Sequence, residues 1–200
     1  TFDARLSNIG TDGYIDRASV DLNSYYLQGG YFAENTSVKL IAFAGKEKTY
    51  HAWGYATKKE MEDFGRRYNP CGEMYTDANG NKHFYDDQTD NYLQKNYQLL
   101  FNHTFSTAWN LNVALHYTKG DGYYEEYKDG RYLIEYGLKS FTIDGTEVSK
   151  SDLVRQKKMD NKFGGGVFSL NYTTNRLSAS LGGGLNQYRG NRSEERRVGK

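Results

Sequence analysis

Cysteine and proline are almost absent from this 200-residue chain, which has one of each, Cys71 and Pro70. A lone cysteine forms no internal disulfide, and it excludes a zinc site built on several thiolates. No metal site and no cofactor is expected. Also missing is any apolar run approaching the roughly 18 residues that a membrane-crossing helix needs. The mean hydropathy of -0.86 agrees, so a helical membrane protein is excluded. The formal net charge is only +1, from 26 basic and 25 acidic residues, and no basic stripe carries interleaved aromatics. Without a polyanion-seeking field, nucleic acid is not an expected partner.

Signatures of catalysis are scarce as well. Gly164-Gly165-Gly166 and Gly182-Gly183-Gly184 are not phosphate loops, since no Lys-Ser/Thr follows either. Nothing in the spacing joins Cys71 to His51 or His83 as a nucleophile and base, so no catalytic residue is assigned and the chain is not read as an enzyme. Asp77 to Asn81 imitates the start of a calcium loop, but Lys82 stands where the loop needs Gly, and Gln88 where it needs a bidentate Glu. Asn79-Gly80 reads instead as a type I′ hairpin turn, and Asp129-Gly130 and Asp144-Gly145 read as further hairpin turns.

What the chain has is tyrosine, glycine and alternation. With 19 Tyr and 22 Gly, its composition favours strands with flexible connections over helices. Six segments read as strands: Leu22 to Phe32, Ser37 to Gly45, Asn96 to Phe105, Trp109 to Thr118, Phe163 to Tyr172 and Leu177 to Tyr188, with a seventh from Phe2 to Ile9. In the clearest, Trp109, Leu111, Val113, Leu115 and Tyr117 alternate with Asn110, Asn112, Ala114, His116 and Thr118. That period of two gives one apolar and one polar face. Ile41, Phe43, Leu100 and His103 interrupt the pattern in neighbouring strands.

Connection lengths alternate too. Three connections have three or four residues, whereas 46–95 and 119–162 have 50 and 44. Outer-membrane barrels have this asymmetry, with tight periplasmic turns and long extracellular loops. Charge follows the same division, because the six principal segments hold Lys39 alone among the 51 charged residues, while the two long loops hold 35. A soluble sheet with a wet face would carry charges along it, and a lipid-facing charge costs about 2–4 kcal/mol at mid-bilayer. Lys39 and Arg5 fall opposite their strands' aliphatic residues, which assigns them to a lumen.

Aromatic residues gather near strand ends. Tyr31, Phe32, Phe105, Trp109 and Tyr172 sit beside the short turns, and Tyr25, Tyr97, Tyr117 and Tyr188 nearer the opposite ends, as two interfacial girdles require. In the first long loop, Tyr50, His51, Trp53, Tyr68, Tyr75, His83 and Tyr85 either stack on a captured ligand or pack the loop's own small core. A short amphipathic helix is expected within 57–67, around Met61 and Phe64.

Several runs resemble the barrel of TonB-dependent receptors: Gly13 to Ala18, Gly45 to Trp53, Arg67 to Glu73, Asp90-Asn91-Tyr92, and Ala114 to Thr118 followed by Gly120 to Tyr127. The likeness spans 2–187. It implies an all-β antiparallel meander of six or seven transmembrane strands within a larger barrel of the 22-stranded kind. It further implies location in the outer membrane with lipid as partner, a small nutrient ligand, and energy from the TonB complex through a plug that these residues do not include. Other outer-membrane barrels, such as a porin or barrel enzyme, and a soluble or surface-attached β-rich binding or adhesion module, are the alternatives. Residues 1–191 read as one partial barrel domain. The run 192–200, Arg-Ser-Glu-Glu-Arg-Arg-Val-Gly-Lys, resembles a translated sequencing adapter and is set aside as a non-native tail.

Overall fold

A computed structural model describes residues 1–198. Along the chain come β1 (Phe2–Thr11), β2 (Val20–Phe32), β3 (Thr36–Tyr50), α1 (Lys58–Phe64), β4 (Glu73–Thr76) and β5 (Lys82–Phe84). They are followed by β6 (Thr89–Thr104), β7 (Trp109–Tyr132), the 3-10 turn η1 (Leu133–Tyr136), β8 (Phe141–Ile143), β9 (Thr146–Val148), β10 (Lys150–Thr173) and β11 (Ser178–Val198). Seven of these strands form one antiparallel sheet in the order β1-β2-β3-β6-β7-β10-β11, and β4-β5 and β8-β9 are separate hairpins. The expected meander is therefore present, and the sheet is open at β1 and β11.

The short turns fall at one end of the sheet and the long connections at the other. Strands extend much further toward the loop end than alternation indicated: the 46–95 connection contracts to 51–88, and the 119–162 connection to 133–149. Beyond the apolar zone both faces of a ribbon are wet, so the period of two disappears from composition while backbone pairing continues. Cross-strand charge pairs take over there, as where Glu126 accepts hydrogen bonds from Nε and a terminal guanidinium nitrogen of Arg155. For the same reason the segment set aside as a tail continues β11 beside β10, with Lys158 paired to Glu195 and Arg196 to Glu194.

Two turn assignments change. Asn79-Gly80 is not a type I′ turn, because only Gly80 has positive φ, at 85°. Asp77 accepts the Gly80 amide through its carbonyl at 3.0 Å, and its carboxylate takes the Asn79 and Asn81 amides. This is a type I turn closed by a left-handed glycine, and the side-chain bonds make it cheaper than the mirror-image turn. Asp129-Gly130 is not a hairpin either. It is a bulge within β7, where the register shifts between Ser151 and Leu153 and the Gly130 amide donates to Asp152. Asp144-Gly145 does form the β8-β9 turn, with φ of 47° and 77°. Helix α1 lies within the expected span and opens on a capping box between Thr57 and Glu60.

Uninterrupted register sorts the side chains of the sheet into two faces. One carries successive rows across the strands: Trp109-Tyr172; His103-Leu111-Leu170-Leu181; Tyr31-Val38-Phe101-Val113-Phe168; Leu40-Leu99-Leu115-Gly166-Leu185; and Leu27-Ala42-Tyr97-Tyr117. The other carries Asn102, Asn110, Asn112, Ser169, Asn171 and Ser180, joined by side-chain hydrogen bonds of 2.6 to 3.3 Å. Lys39 and Arg5 lie on this polar face, as expected, and so do the exceptions Ile41, Phe43 and Leu100. His103 lies on the apolar face, where its Nδ1 pairs with Thr36 Oγ1 at 2.7 Å.

Among the described residues nothing covers the apolar face. Leu40, Leu115, Phe168, Leu181 and Leu185 are 59%, 46%, 46%, 66% and 81% exposed. Among the described residues the buried hydrophobics are Ala44, Tyr50, Tyr68, Cys71, Leu133 and Leu153, nearly all of them at or beyond the loop end. The girdle assignments divide by face. Tyr31, Trp109, Tyr172, Tyr25, Tyr97 and Tyr117 share the apolar face, whereas Phe32 and Tyr188 are corrected to the polar one, because each follows or precedes the girdle position by an odd number of residues. Phe105 lies in a turn and packs edge-on against His103 at 4.6 Å.

Candidate functional site

The 51–88 connection folds back on the loop end of β3, β6 and β7 around a pinned asparagine. Asn69 is fully buried, and its side-chain amide donates to the carbonyls of Asp16 at 3.0 Å and His51 at 2.9 Å. Its side-chain oxygen accepts the Cys71 amide at 3.0 Å. Three backbone groups with no strand partner are satisfied by one residue, which holds three separate segments together. Arg17 joins them by donating to the Asn69 carbonyl and laying its guanidinium 3.4 Å above the Phe84 ring. Gly54 donates its amide to the buried Cys71 sulfur at 3.2 Å, so Cys71 belongs to this packing.

Of the seven loop residues considered for ligand contact, three lie in the core. Tyr50, His51 and Tyr68 are 8%, 2% and 7% exposed. Tyr50 sends its hydroxyl toward the carbonyls of Tyr85 and Cys71, and Tyr68 donates to Glu73, which also holds Lys82. These residues support the loop. Tyr85 is half-buried and donates to Glu125. Trp53 and Tyr75 are each 55% exposed, and Tyr75 stacks on the exposed His83 with ring centres 4.5 Å apart. Among these seven, open aromatic surface thus falls in two places: Tyr75-His83 on the outlying β4-β5 hairpin, and Trp53 against the sheet.

The Trp53 site has the richer surroundings. Its indole stacks on His51 at 3.8 Å and meets Tyr124 edge-on at 6.2 Å. Tyr124 belongs to a register row with Thr49, Asp90 and Lys157, all on the polar face, and the Lys157 ammonium lies 5.5 Å from its ring centre. One step along the strand pair, Glu126 is buried between Arg155 and Lys128. Burial works against its charge, but the two cations outweigh burial and hold its carboxyl below the ordinary glutamate value. Burial pushes His51 below the ordinary histidine value despite the nearby Glu126. It raises Asp90, with Glu47 adding to the effect. Both ring nitrogens of His51 lack hydrogen-bond partners among the described residues.

This arrangement offers an aromatic wall, an adjacent carboxylate and an ammonium on the polar face, suited to a polar ligand with a flat surface. Among the described residues, no group of three His, Cys, Asp or Glu side chains could hold a metal. Sequence reasoning passed over Asn69, Arg17, Tyr124 and Glu126. Tyr124 and Glu126 do carry a weak signal in the run Tyr123 to Tyr127, where alternation puts both on one face. Asn69 and Arg17 fall within the resembling runs, but no local pattern pairs them, because Asn69 meets Arg17 and Asp16 across 52 and 53 residues of sequence. The chain matches no family model, no curated protein and no solved structure.

Proposed function

We propose that this chain is part of an outer-membrane β-barrel of the TonB-dependent receptor class, which captures a scarce nutrient at its extracellular loops and imports it. The observation that carries the membrane reading is the apolar face: five consecutive rows of Leu, Val, Phe, Tyr and Trp run across the strands with no second layer over them among the described residues. In water such a face would cost about 25 cal/mol for each Å² left exposed, and a soluble fold would bury it. From Trp109 to Lys119 the strand advances ten residues. That is ~25 Å of height at the strand tilt usual in these barrels, equal to their apolar band. The opposite face, with its asparagine and serine network, suits a hydrated or plugged lumen.

The receptor class rests on the resembling segments and on the β7-β10 ribbon and 51–88 connection beyond the band. On this reading Trp53, Tyr124, Asp90 and Lys157 stand at the mouth of the lumen. Open edges at β1 and β11 require further strands in a bilayer, which the rest of a large barrel would supply.

The test places single cysteines, on a Cys71→Ser background of the full protein, at Leu99, Leu115 and Leu170 or at Gln98, His116 and Asn171, and attaches nitroxide labels in vesicles. Collision with oxygen dissolved in the bilayer is expected for the first set and with an aqueous nickel chelate for the second. Equal aqueous access for both sets would overturn the membrane reading. Loss of uptake on deletion of the upstream plug-coding region or of TonB tests the receptor class separately.

A further inference from the structure

At the loop-end limit of the apolar face, four cations stand side by side. Lys95 of β6 pairs in register with Lys119 of β7, Lys119 with Lys162 of β10, and Lys162 with Arg189 of β11. Directly opposed side chains of an antiparallel pair are only about 5 Å apart, and like charges there repel. The protein provides little to relieve this. Lys119 lies 3.7 Å from Asp121, and among the described residues Lys95, Lys162 and Arg189 form no ion pair. The next row outward adds Asp121 and Asp160 but also Lys46, so the two rows hold five cations against two carboxylates.

Position distinguishes this row from a solvated charge cluster. Each member lies two residues beyond the Tyr97-Tyr117-Gly164-Gln187 row on the same face, and ten residues beyond the turn-end aromatic level of Phe105, Trp109, Tyr172 and Ala179. Polar-face neighbours at the same height are Asn96, Thr118, Phe163 and Tyr188, none of them charged. Across β6, β7, β10 and β11 the cations are thus confined to the side that holds the apolar rows, with Arg5 of β1, three strands from β6, a cation of the opposite row; this is the height where hydrocarbon gives way to headgroups.

We infer that Lys95, Lys119, Lys162 and Arg189 form a binding site for the phosphate groups of a phosphorylated glycolipid of the outer leaflet, whose acyl chains lie along Tyr97, Tyr117, Leu99, Leu115 and Leu185. The inference rests on the membrane reading above. A lipid phosphate supplies the missing negative charge, and the apolar rows below supply the rest of the affinity, so free phosphate should bind far more weakly.

The experiment uses the full protein purified in detergent and measures retained lipid by native mass spectrometry, with a bisphosphorylated glycolipid, its dephosphorylated form and inorganic phosphate as probes. Wild type should retain the bisphosphorylated lipid. Each of Lys162→Gln and Arg189→Gln should weaken it about fivefold, and all four substitutions together by more than about a hundredfold. Replacing the three lysines by arginine should preserve binding, as should Lys39→Gln on the polar face. Unchanged lipid binding in the quadruple variant or in both single variants, equal retention of the dephosphorylated lipid, or displacement by millimolar inorganic phosphate would overturn the site while leaving the membrane reading intact. A wild-type protein that is monodisperse and folded without detergent would overturn both.

Discussion

A single arginine can be placed so that adjacent positions give opposite results. Leu115 lies six residues from Trp109 and four from Lys119, close to the middle of the apolar face, between Leu99 and Gly166. If the proposed membrane reading holds, Leu115→Arg puts a guanidinium near mid-bilayer, at a cost of about 2–4 kcal/mol. His116, one residue further, faces the other way beside Gln98 and Gly165, with its Nε2 2.9 Å from Asn186 Oδ1. His116→Arg gives up that hydrogen bond, about 1 kcal/mol, and leaves its charge on the polar face. The difference amounts to roughly a 5- to 150-fold change in the folding equilibrium, taking 1.4 kcal/mol as tenfold. Urea titration of the full protein in lipid vesicles, followed by the gel-mobility change on unfolding, measures it. Equal destabilisation by the two arginines, or a larger loss at His116, would refute the assignment of faces.

Other outcomes follow from the loop end. Asn69→Ala should remove three buried hydrogen bonds, a loss of about 3 kcal/mol at roughly 1 kcal/mol each, and accelerate amide exchange in 51–72 about a hundredfold; unchanged protection would contradict the pinning role. Gly122→Val should cost about 1–3 kcal/mol, because a Cβ there would stand 2.2 Å from the Asn91 carbonyl, whereas Gly45→Ala, with nothing within 4 Å, should be neutral in the same urea titration. His51 has a lowered pKa, so the closed loop favours its neutral form. The stability it contributes is whole above the ordinary histidine value and declines as pH falls through that value toward its own. In a Trp109→Phe background, Trp53 fluorescence should therefore report loop opening as pH falls below the ordinary histidine value, and His51→Phe should abolish the change. A pH response that persists without His51 would exclude it as the cause.

Strand order and facing were legible because the apolar face imposes a strict choice at every second residue. Trp109 to Tyr117 could be assigned from that choice alone, and the structure keeps the same alternation without a bulge. The method stopped where the constraint stopped. Past Thr118 both faces of β7 meet water, so charged residues such as Lys119 and Glu125 no longer distinguish strand from loop, and 14 further residues of β7 were read as connection. Phe32 and Tyr188 were misplaced for a related reason. Proximity to a strand end suggests membership of a girdle, while parity along the strand, which is stricter, puts both on the polar face.

The loop aromatics show a different limit. Tyr50, Tyr68 and Trp53 look alike in a sequence, yet the first two are held inside by Tyr85, Cys71 and Glu73 and the third is left open against Tyr124. What separates them is whether a hydroxyl finds an acceptor in the same connection. Tyrosine hydroxyls can be buried where backbone carbonyls or a carboxylate are available, and here the turn at Pro70 to Gly72 and the β4-β5 hairpin provide them. The Trp53 indole has no hydrogen bond of that kind among the described residues and packs instead by stacking on His51 and meeting Tyr124 edge-on, leaving its remaining surface on the side that Asp90 and Lys157 share. In the proposed receptor, a ligand entering the lumen would meet that surface before it reached the asparagine and serine network. The same distinction predicts that Trp53→Ala weakens capture without loosening the loop, while Tyr50→Phe loosens the loop first.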